Sequence, residues 1–333
     1  MKLALVTGAT GFLGAEVTRQ LARDGVAVRA LLRPTSETDR LPDVALERTT
    51  SPDDDPACLE RAVAGVDVVF HLGARVDVGS TFRTDDDARQ YERDNVARTG
   101  ALLEAALGAG VGRFVLMSSG SVYAPGTPSP IPEDAPTGPI TAYARSKLAA
   151  EELVWRSRRR GLGATVVRGS LMYGPGDRHF RPLVDRVMRL PLVPLPDGGR
   201  ARHDLVHVSD VASLLVLAAR TPAAEGGTYN VGSGRPLPVR EIARRLRAEL
   251  GHGPRVVNLP APLMRAGFTP VRALLVRAVP ELAGVLTPSL IDYFSHDFYA
   301  SAEKANQELG WQAEHEFGQL PLAAPAGQSD AGP

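Results

Sequence analysis

The stretch that decides the fold reads Leu3-Ala4-Leu5-Val6-Thr7-Gly8-Ala9-Thr10-Gly11-Phe12-Leu13-Gly14, and an amphipathic segment continues it to Arg23. An apolar strand that passes through a glycine turn into a helix leaves free backbone N–H groups at the helix N-terminus, where they bind phosphate. Gly8 permits the tight turn, Gly11 lets the backbone approach phosphate, and Gly14 allows close packing of helix and strand. The stretch therefore predicts a dinucleotide site.

Short apolar runs alternate with helix-length amphipathic segments through the first half of the chain. This alternation is typical of βαβ units, in which helices cover both faces of a parallel sheet. It predicts an α/β fold: a doubly wound Rossmann-type parallel sheet with a smaller C-terminal substrate lobe. The predicted strands are Leu3–Val6, Val26–Leu32, Val66–Leu72, Arg113–Met117 and Ala164–Arg168, and the predicted helices are Phe12–Arg23, Leu59–Ala64, Tyr91–Ala109 and Tyr143–Arg160.

The alternation ends after Gly169, where prolines become frequent. We expect residues 1–169 to form an NAD(P)-binding Rossmann domain, to which strands near residues 204–231 return. Residues 170–203 and 232–322 are expected to form the substrate-binding lobe, with a helix at Val239–Leu250. Residues 323–333 are rich in Ala, Gly, Pro and Ser, which predicts a flexible tail.

Charge and cysteine content exclude several classes of protein. The 38 basic and 38 acidic side chains give a formal net charge of zero, so no overall field attracts nucleic acid or an anionic membrane. No apolar run approaches the roughly 18 residues of a membrane-spanning helix. Cys58 is the single cysteine, and no His/Cys cluster has metal-ligand spacing. We therefore expect a cytoplasmic protein that binds a small molecule and no metal, nucleic acid or membrane.

The end of the second predicted strand bears on cofactor preference. NAD-binding Rossmann folds carry an acidic residue there, which binds the adenosine ribose 2′-hydroxyl. Here the stretch reads Val28-Arg29-Ala30-Leu31-Leu32-Arg33-Pro34, with no acid and with Arg33 beside the expected position. Because an arginine pairs well with a 2′-phosphate, we expect NADP(H) to be favoured over NAD(H). The alternative is that Arg33 is only a solvated loop residue.

Tyr143 and Lys147 stand four residues apart in Thr141-Ala142-Tyr143-Ala144-Arg145-Ser146-Lys147. On a helix they share one face, so the ammonium is expected to lower the pKa of the phenol and to help it exchange a proton with a carbonyl or alcohol. An isolated pair at this spacing is more often an aromatic ring packed on a lysine stem. The remaining motifs decide between the two interpretations.

Several further motifs follow the glycine turn in a fixed order. With them the chain resembles the extended short-chain dehydrogenase/reductase family, also called the NAD-dependent epimerase/dehydratase family, over nearly its whole length. Within the family it is most similar to the 3β-hydroxysteroid dehydrogenase and dihydroflavonol reductase branches. The motifs are Val68 to Ala74, Asn95-Val96, Met117 to Tyr123, Tyr143 to Lys147, Tyr173 to Asp177, His207 to Asp210 and Tyr229 to Gly232.

The resemblance implies catalysis by Ser119, Tyr143 and Lys147. The two hydroxyls would bind one substrate oxygen, and the lysine would bind the nicotinamide ribose. It also implies a homodimer. The implied cofactor-binding residues are Gly8, Thr10, Gly11, Phe12, Leu13, Gly14, Arg33, Leu72, Gly73, Ala74, Asn95, Tyr143 and Lys147, and the implied substrate contacts are Val76, Gly120, Ser121, Tyr173, His179 and Arg202.

The choice of reaction depends on two further positions. Relatives that eliminate water carry an Asp-Glu pair after the catalytic hydroxyl residue, whereas this chain has Gly120-Ser121, which disfavours a dehydratase. Epimerases of the family clamp a diphosphate with arginines. Arg200 or Arg202 is a candidate, but His203 stands where the family's arginine usually does, and the aromatic stretch Asp292 to Tyr299 has no arginine.

These positions favour an NAD(P)-dependent oxidoreductase that acts on a ketone or secondary alcohol. A sugar or nucleotide-sugar epimerase with tightly bound NAD(P) is the alternative. A noncatalytic cofactor-binding regulator on the same fold is disfavoured, because Ser119, Tyr143 and Lys147 are all present.

Overall fold

A computed structural model of the chain describes residues 1–52, 55–76, 88–177, 180–278 and 288–318. The strands are β1 Leu3–Thr7, β2 Ala27–Leu32, β3 Glu47–Thr50, β4 Val68–His71, β5 Arg113–Ser119, β6 Gly163–Gly169, β7 Leu171–Tyr173, β8 Leu192–Pro196, β9 Arg202–His203, β10 Leu205–His207, β11 Thr228–Val231, β12 Leu237–Pro238 and β13 Arg255–Leu259. Seven of them form a parallel central sheet in the order β11-β6-β5-β4-β1-β2-β3.

Helices cover both faces of this sheet. They are α1 Phe12–Arg23, α2 Pro56–Val63, α3 Ala88–Tyr91, α4 Arg98–Gly108, α5 Ala142–Arg158, α6 Arg181–Met188, α7 Val208–Arg220, α8 Val239–Leu250, α9 Ala261–Ala266, α10 Phe268–Ala278, α11 Pro288–Ser295 and α12 Glu303–Leu309, and a π-helical segment, Glu92–Ala97, joins α3 to α4. The predicted doubly wound α/β fold is confirmed, and the helix predicted at Val239–Leu250 has those bounds.

Alternate side chains of each central strand enter two separate cores, because successive residues of a strand point to opposite faces. In β1, Ala4 and Val6 pack with α1 and α7, while Leu5 packs with α2, α4 and α5. All residues of β4 and β6 are buried, which explains why these segments are almost continuously apolar in the sequence. The two cores fix the strand ends, from which the site is built.

The sequence prediction misses one central strand and misassigns another. β3 reads Glu-Arg-Thr-Thr and lies at the sheet edge with no buried residue, so it has no apolar run to signal it. Two strands, Leu205–Val208 and Thr228–Val231, are predicted in the returning segment near residues 204–231, and the first of them does not join the central sheet. Its residues form β10, which pairs with β7, whereas β11 does join the central sheet beside β6.

The C-terminal lobe contains two more small sheets, β8 with β13 and β9 with β12. None of the described helices is both long and apolar enough to cross a bilayer. The tail predicted at residues 323–333 lies outside the described residues. The predicted domain bounds stay predictions.

The glycine turn is set by close contacts between backbone atoms. Gly8 has φ +71°, and a Cβ there would lie 2.8 Å from Gly73 Cα. A Cβ at Gly14 would lie 2.0 Å from the Gly8 carbonyl oxygen. The tight turn at Gly8 and the close helix-to-strand packing at Gly14 are therefore both present, and a larger residue at either position would have to move the backbone.

Gly14→Ala is expected to lower the free energy of unfolding by about 2–4 kcal/mol, because the added methyl overlaps a carbonyl that cannot retreat from the sheet. Gly100→Ala, within α4, is the matched control, since a Cβ at Gly100 would meet only Leu153 Cδ1 of α5, at 3.7 Å. That variant should be as stable as the wild type or up to about 1 kcal/mol more stable. Denaturant titration measures both, and equal stability of Gly14→Ala and wild type would contradict the packing argument.

Candidate active site

A cavity of about 1010 Å³ runs along the carboxyl ends of the central strands. This is the edge at which open α/β sheets bind ligands. One end of the cavity, here called the turn end, is lined by the glycine turn and by the end of β2. The other, the lobe end, is lined by residues of the C-terminal lobe. Its walls include Thr7 at the end of β1, Leu32 at the end of β2, His71 at the end of β4, Ser119 at the end of β5 and Gly169 at the end of β6.

The turn end presents the N-terminus of α1 to the cavity. Gly11 is the N-cap residue, and no side chain caps the helix. The first N–H groups of a helix have no partner within the helix and carry its partial positive charge, so they suit an anionic group. Thr10, Gly11, Phe12 and Leu13 line the cavity here, as predicted from the sequence.

The end of β2 brings further polar groups to the turn end. Arg33 lines the cavity, and its main-chain N–H donates to Ser36 Oγ at 2.9 Å. Arg40 lies on the same wall and forms an ion pair with Glu37. Ser51 Oγ is buried on this wall without a hydrogen-bond partner. A buried hydroxyl left unpaired costs free energy, which a ligand atom would recover. This donor set fits the adenosine end of a dinucleotide.

Tyr143 and Lys147 share one face of α5, as predicted. The helix begins at Ala142, and its N-cap, Thr141, accepts from Ala144 N through Oγ1 at 3.1 Å. Lys147 is only 5% exposed, and its Nζ donates to Met117 O in β5 at 2.5 Å. Ser119, at the end of the same strand, lies beside Tyr143, and its side chain acts to lower the pKa of the phenol. The three residues thus meet at the middle of the cavity wall.

Burial dominates the protonation of this group. It lowers the pKa of Lys147 to about 8, and the nearby Glu151 charge acts in the opposite direction. Burial raises the pKa of Tyr143, and the hydrogen bond with Ser119 opposes that rise. The sequence-based expectation that Lys147 holds the phenol pKa below its usual value is therefore wrong for this structure. Tyr143 keeps its proton at neutral pH and is suited to donate it to a bound oxygen.

The neighbouring serines have other partners. Ser118 Oγ donates to Glu151 Oε1 at 2.5 Å, and its side chain is buried. Ser121 contacts Ser119 itself, with 2.9 Å between the two hydroxyl oxygens. Ser119 is therefore the hydroxyl that meets Tyr143, and Ser121 is its neighbour on the cavity wall.

Most of the remaining predicted residues also line the cavity, and Asn95 is the exception among the cofactor residues. Asn95 Oδ1 accepts from Arg75 N at 2.6 Å, and Nδ2 donates to Arg75 O at 3.2 Å and to Ser146 Oγ at 2.9 Å. Its amide thus holds the loop after β4 against α5. The predicted residues found on the cavity wall are Gly8, Gly14, Leu72, Gly73, Ala74, Val76, Gly120 and Ser121, besides those named above.

Tyr173 and Arg202, two of the predicted substrate contacts, do not line the cavity. The ring of Tyr173 is buried between His207 and Phe317, with ring centroids 5.2 and 5.0 Å away. Arg202 is exposed, and Nη2 donates to Pro236 O at 3.3 Å. A third predicted contact, His179, lies outside the described residues.

The alternation of β9 explains the position of Arg202. Because neighbouring strand residues point in opposite directions, Arg202 faces solvent while His203 is 1% exposed. The His203 ring packs on Tyr293, with centroids 4.5 Å apart. Tyr293 in turn lines the lobe end of the cavity.

Sequence reasoning missed most of the lobe end. Its apolar lining comes from segments far apart in the chain, which no local motif connects. Arg265 also lines it, and its Nε donates to Asp292 Oδ1 at 2.8 Å. The aromatic stretch after Asp292 was the one signal available. The apolar lining residues are Pro125, Ile140, Leu171, Met172, Phe180, Tyr293 and Phe298.

A buried chain of hydrogen bonds supports the site and was also missed. Thr99 Oγ1 donates to Asn95 O at 2.6 Å, so His71 Nε2 must donate to Thr99, at 2.8 Å. His71 Nδ1 is then an acceptor, and Thr7 Oγ1 donates to it at 2.8 Å. Thr7 Oγ1 accepts in turn from Gly73 N at 3.0 Å. The chain ties β1 to the loop after β4 and requires a neutral His71.

The burial of His71 predicts a pH-dependent stability. Burial, with the Lys147 charge, lowers its pKa from 6.5 to about 3. The unfolded chain therefore takes up a proton at His71 below about pH 6.5, whereas the folded chain does not. The stabilisation is complete above pH 6.5 and is lost as the pH falls towards 3, by about 2 kcal/mol between pH 6.5 and 5.

His71→Gln should remove this part of the pH dependence, although the variant is less stable than wild type at pH 7. Denaturant titrations at pH 7 and pH 5 measure the change. His252→Gln is the control, because that side chain is exposed after α8. A pH dependence of His71→Gln identical to that of wild type would show that His71 is not held neutral by the fold.

Comparison with known proteins gives consistent matches over the whole fold. A model of the NAD dependent epimerase/dehydratase family matches residues 4–232. A 4-hydroxy-2-methyl-3-oxo-4-farnesyl-3,4-dihydroquinoline-1-oxide ketoreductase of Stigmatella aurantiaca is 29% identical over 331 residues, which cover 97% of each chain. A UDP-glucose 4-epimerase of Streptomyces lividans is 31% identical over 330 residues, 92% of this chain and 90% of the relative. The solved structure of MoeE5 in complex with UDP-glucuronic acid and NAD has a TM-score of 0.72 at 27% identity, covering 95% of both chains.

Proposed function

This chain belongs to the NAD dependent epimerase/dehydratase family, and we propose that it is an NAD(P)-dependent oxidoreductase that acts on a ketone or secondary alcohol of a small molecule. The enzymatic character follows from the family and from the relatives, which are reductases, dehydrogenases and epimerases. The observation that carries the choice of an oxidoreductase is the makeup of the lobe end of the cavity.

A nicotinamide dinucleotide fits the turn end. In this proposal the N-terminus of α1 binds the pyrophosphate, the orphaned hydroxyl of Ser51 lies near the adenosine, and Lys147 binds the nicotinamide ribose. Arg33, with Ser36 beside it, binds the 2′-phosphate of NADP(H), so NADP(H) is favoured over NAD(H). When bound, the cofactor supplies or accepts the hydride.

The chain's own residues orient the substrate and move the proton. Ser119 and Tyr143 bind the same substrate oxygen from the end of β5 and the start of α5. In the direction of reduction, Tyr143 donates its proton to that oxygen. The Lys147 ammonium stabilises the phenolate that remains, because a positive charge close by favours the ionised phenol. The apolar lobe end excludes water from the reacting carbon.

The lobe end supports an uncharged, apolar substrate, such as a carbocyclic or polyketide-like ketone, over a nucleotide sugar. A nucleotide diphosphate needs unengaged cationic groups, and guanidinium groups suit it best. Arg202 is outside the cavity, and Arg265 is already paired with Asp292. Asp177 and Asp297 add two further carboxyl groups to the same lining. Similarity to a ketoreductase over the full chain agrees with this choice, whereas similarity to UDP-glucose 4-epimerase keeps an epimerase as the alternative.

The homodimer implied by the family resemblance stays a prediction, as does the cytoplasmic location. The dimer would use α4 and α5, which pack side by side. Ala150 and Val154 of α5 are buried in the core beneath the helix, whereas Ala149 and Leu153 are partly exposed and are available to a partner.

Purified enzyme is mixed with NADPH and each member of a panel of apolar ketones, and the absorbance of the reduced cofactor is followed. NADPH should be consumed in proportion to the ketone added. Tyr143→Phe should lower turnover by about 100-fold or more, because no proton donor remains, while NADPH still binds. Tyr229→Phe, which removes a phenol hydroxyl from the far edge strand β11, is the matched control and should keep its turnover. Interconversion of sugars without net cofactor consumption would support the epimerase instead, and a fully active Tyr143→Phe enzyme would refute the role of Tyr143.

Cofactor preference is tested separately by fluorescence titration with NADPH and NADH. Arg33→Ala should weaken NADPH binding about 10- to 100-fold and leave NADH binding unchanged, since one charge-assisted contact to the 2′-phosphate is lost. Arg48→Ala, at an exposed position of β3 outside the cavity, should affect neither. If wild-type protein binds NADPH no more tightly than NADH, Arg33 does not read the phosphate.

A further inference from the structure

Glu151 is a buried carboxylate that the mechanism above does not use. It lies on α5 one turn after Lys147, on the same helix face, and is 1% exposed. Its Oε1 accepts from Ser118 Oγ at 2.5 Å. Arg168 holds both of its oxygens, with Nε at 3.1 Å from Oε1 and Nη2 at 2.7 Å from Oε2. Every contact of this carboxylate thus leads to the ends of β5 and β6.

The bond to Ser118 is the second hydrogen bond that ties the end of β5 to α5. Two successive strand residues each bind a side chain from one of two successive turns of the helix. The strand cannot slide or tilt against α5 without breaking both bonds, which are Lys147 to Met117 and Glu151 to Ser118. Ser119, the next strand residue, lies beside Tyr143 of the same helix and lowers the pKa of its phenol.

Arg168 anchors the two bonds from the neighbouring strand. Ser118 and Arg168 are direct partners in the β5–β6 register, so both reach Glu151 from the same face of the sheet. Arg168 is fixed further by Nη1, which donates to Glu133 O at 3.1 Å, and by the ring of Tyr123, whose centroid lies 4.8 Å from the guanidinium carbon. The carboxylate therefore has one defined position.

A buried ion pair of this kind is not explained by stability alone. Its desolvation offsets most of its attraction, and apolar residues of similar volume are often as stable or more so. The ion pair instead fixes geometry, because a bidentate guanidinium sets the orientation of the carboxylate. Ser118 sits between Met117, whose carbonyl accepts from Lys147, and Ser119, which lies beside Tyr143, so the position of Ser118 sets the positions of both.

Glu151 also places a negative charge near the Lys147 ammonium. Its carboxylate opposes the effect of burial on Lys147 and raises the pKa of that ammonium. Tyr143 lies one turn before Lys147 on the same helix face, and His71 on β4 is neutral because burial, with the Lys147 charge, lowers its pKa to about 3. Arg168 adds a positive charge on the other side of the Glu151 carboxylate. Among these groups, Glu151 is the negative charge that supports the ammonium.

We propose that Glu151 is a positioning residue for the reaction proposed above. Held by Arg168, it fixes Ser118 and with it the end of β5, so that Ser119 and Lys147 stay in reach of one substrate and one cofactor, and it places a carboxylate one helical turn from the Lys147 ammonium. Glu151 itself touches neither the substrate oxygen nor the cofactor. This role rests on the proposed function where it is tested by turnover. Where it is tested by cofactor binding, it does not depend on the reaction.

The test compares kcat, KM and NADPH affinity of Glu151→Gln and wild type across the pH range. Glu151→Gln should lower kcat about 10- to 100-fold with little change in KM. The alkaline limb of kcat/KM, expected near pH 8 in wild type, should move about one pH unit lower. Ser118→Ala removes one positioning bond but no charge, so it should lower kcat and leave the alkaline limb in place.

Tyr229→Phe is the control for lost stability, because it breaks a hydrogen bond of a buried ring to Glu308 without contact to the site. It should lower the melting temperature and leave kcat and the pH profile unchanged. A Glu151→Gln enzyme that behaves in the same way, with wild-type kcat per folded molecule and a wild-type alkaline limb, would make Glu151 merely structural and overturn the proposal.

Two further arms keep the result decisive. If Glu151→Gln does not fold, the double variant Glu151→Gln/Arg168→Gln leaves no unpaired buried charge and should show the same alkaline shift. If wild type reduces no ketone, the proposed function fails, but NADPH affinity still reports on Lys147. Affinity should then weaken above about pH 8 in wild type and about one unit lower in Glu151→Gln, and an unshifted break would overturn the role of Glu151.

Discussion

The close approach of α1 to the turn that precedes it is the constraint on which the rest of the site depends. A single added carbon at Gly14 would lie 2.0 Å from the Gly8 carbonyl oxygen, so only glycine lets the helix begin where it does. This places the helix N-terminus on the cavity wall. Thr7, His71 and Thr99 then lock the turn to the loop after β4 by hydrogen bonds whose directions are all determined. The geometry of the turn end is therefore set by backbone contact and by one neutral histidine.

In the middle of the cavity, by contrast, a charged side chain has to stay ionised although it is buried. Lys147 and Tyr143 are almost fully buried on the cavity wall, and burial moves each pKa towards the neutral form. Met117 O and Glu151 are the groups that favour the ammonium. The result is a phenol that holds its proton next to a lysine on the boundary of ionisation, which suits a donor that must release a proton only when an oxygen accepts it.

Local motifs predicted those parts of the molecule that local sequence determines. The glycine turn, the Tyr143–Lys147 pair on α5 and most of the central strands each occupy a short run in which spacing and hydrophobic pattern define the structure. β3 was not predicted because an edge strand needs no apolar face. Leu205–His207 was assigned to the wrong sheet because the sequence pattern of a strand does not show which strand it pairs with. Asn95, Tyr173 and Arg202 were assigned by resemblance, yet contacts made by distant segments turn them away from the cavity. The lobe end and the Glu151–Arg168 pair depend on such long-range contacts throughout.

In the proposed reaction, hydride passes between a nicotinamide cofactor and a carbon whose oxygen is held by Ser119 and Tyr143. The measurement that follows this hydride uses NADPH labelled with deuterium at C4 on each face in turn, an apolar ketone, and mass spectrometry of the product. One of the two labelled cofactors should give an alcohol with a single deuterium on the carbinol carbon, together with an equal amount of oxidised cofactor. An alcohol without deuterium from either cofactor, or a sugar epimerised while the oxidised cofactor stays bound, would refute the proposed hydride transfer.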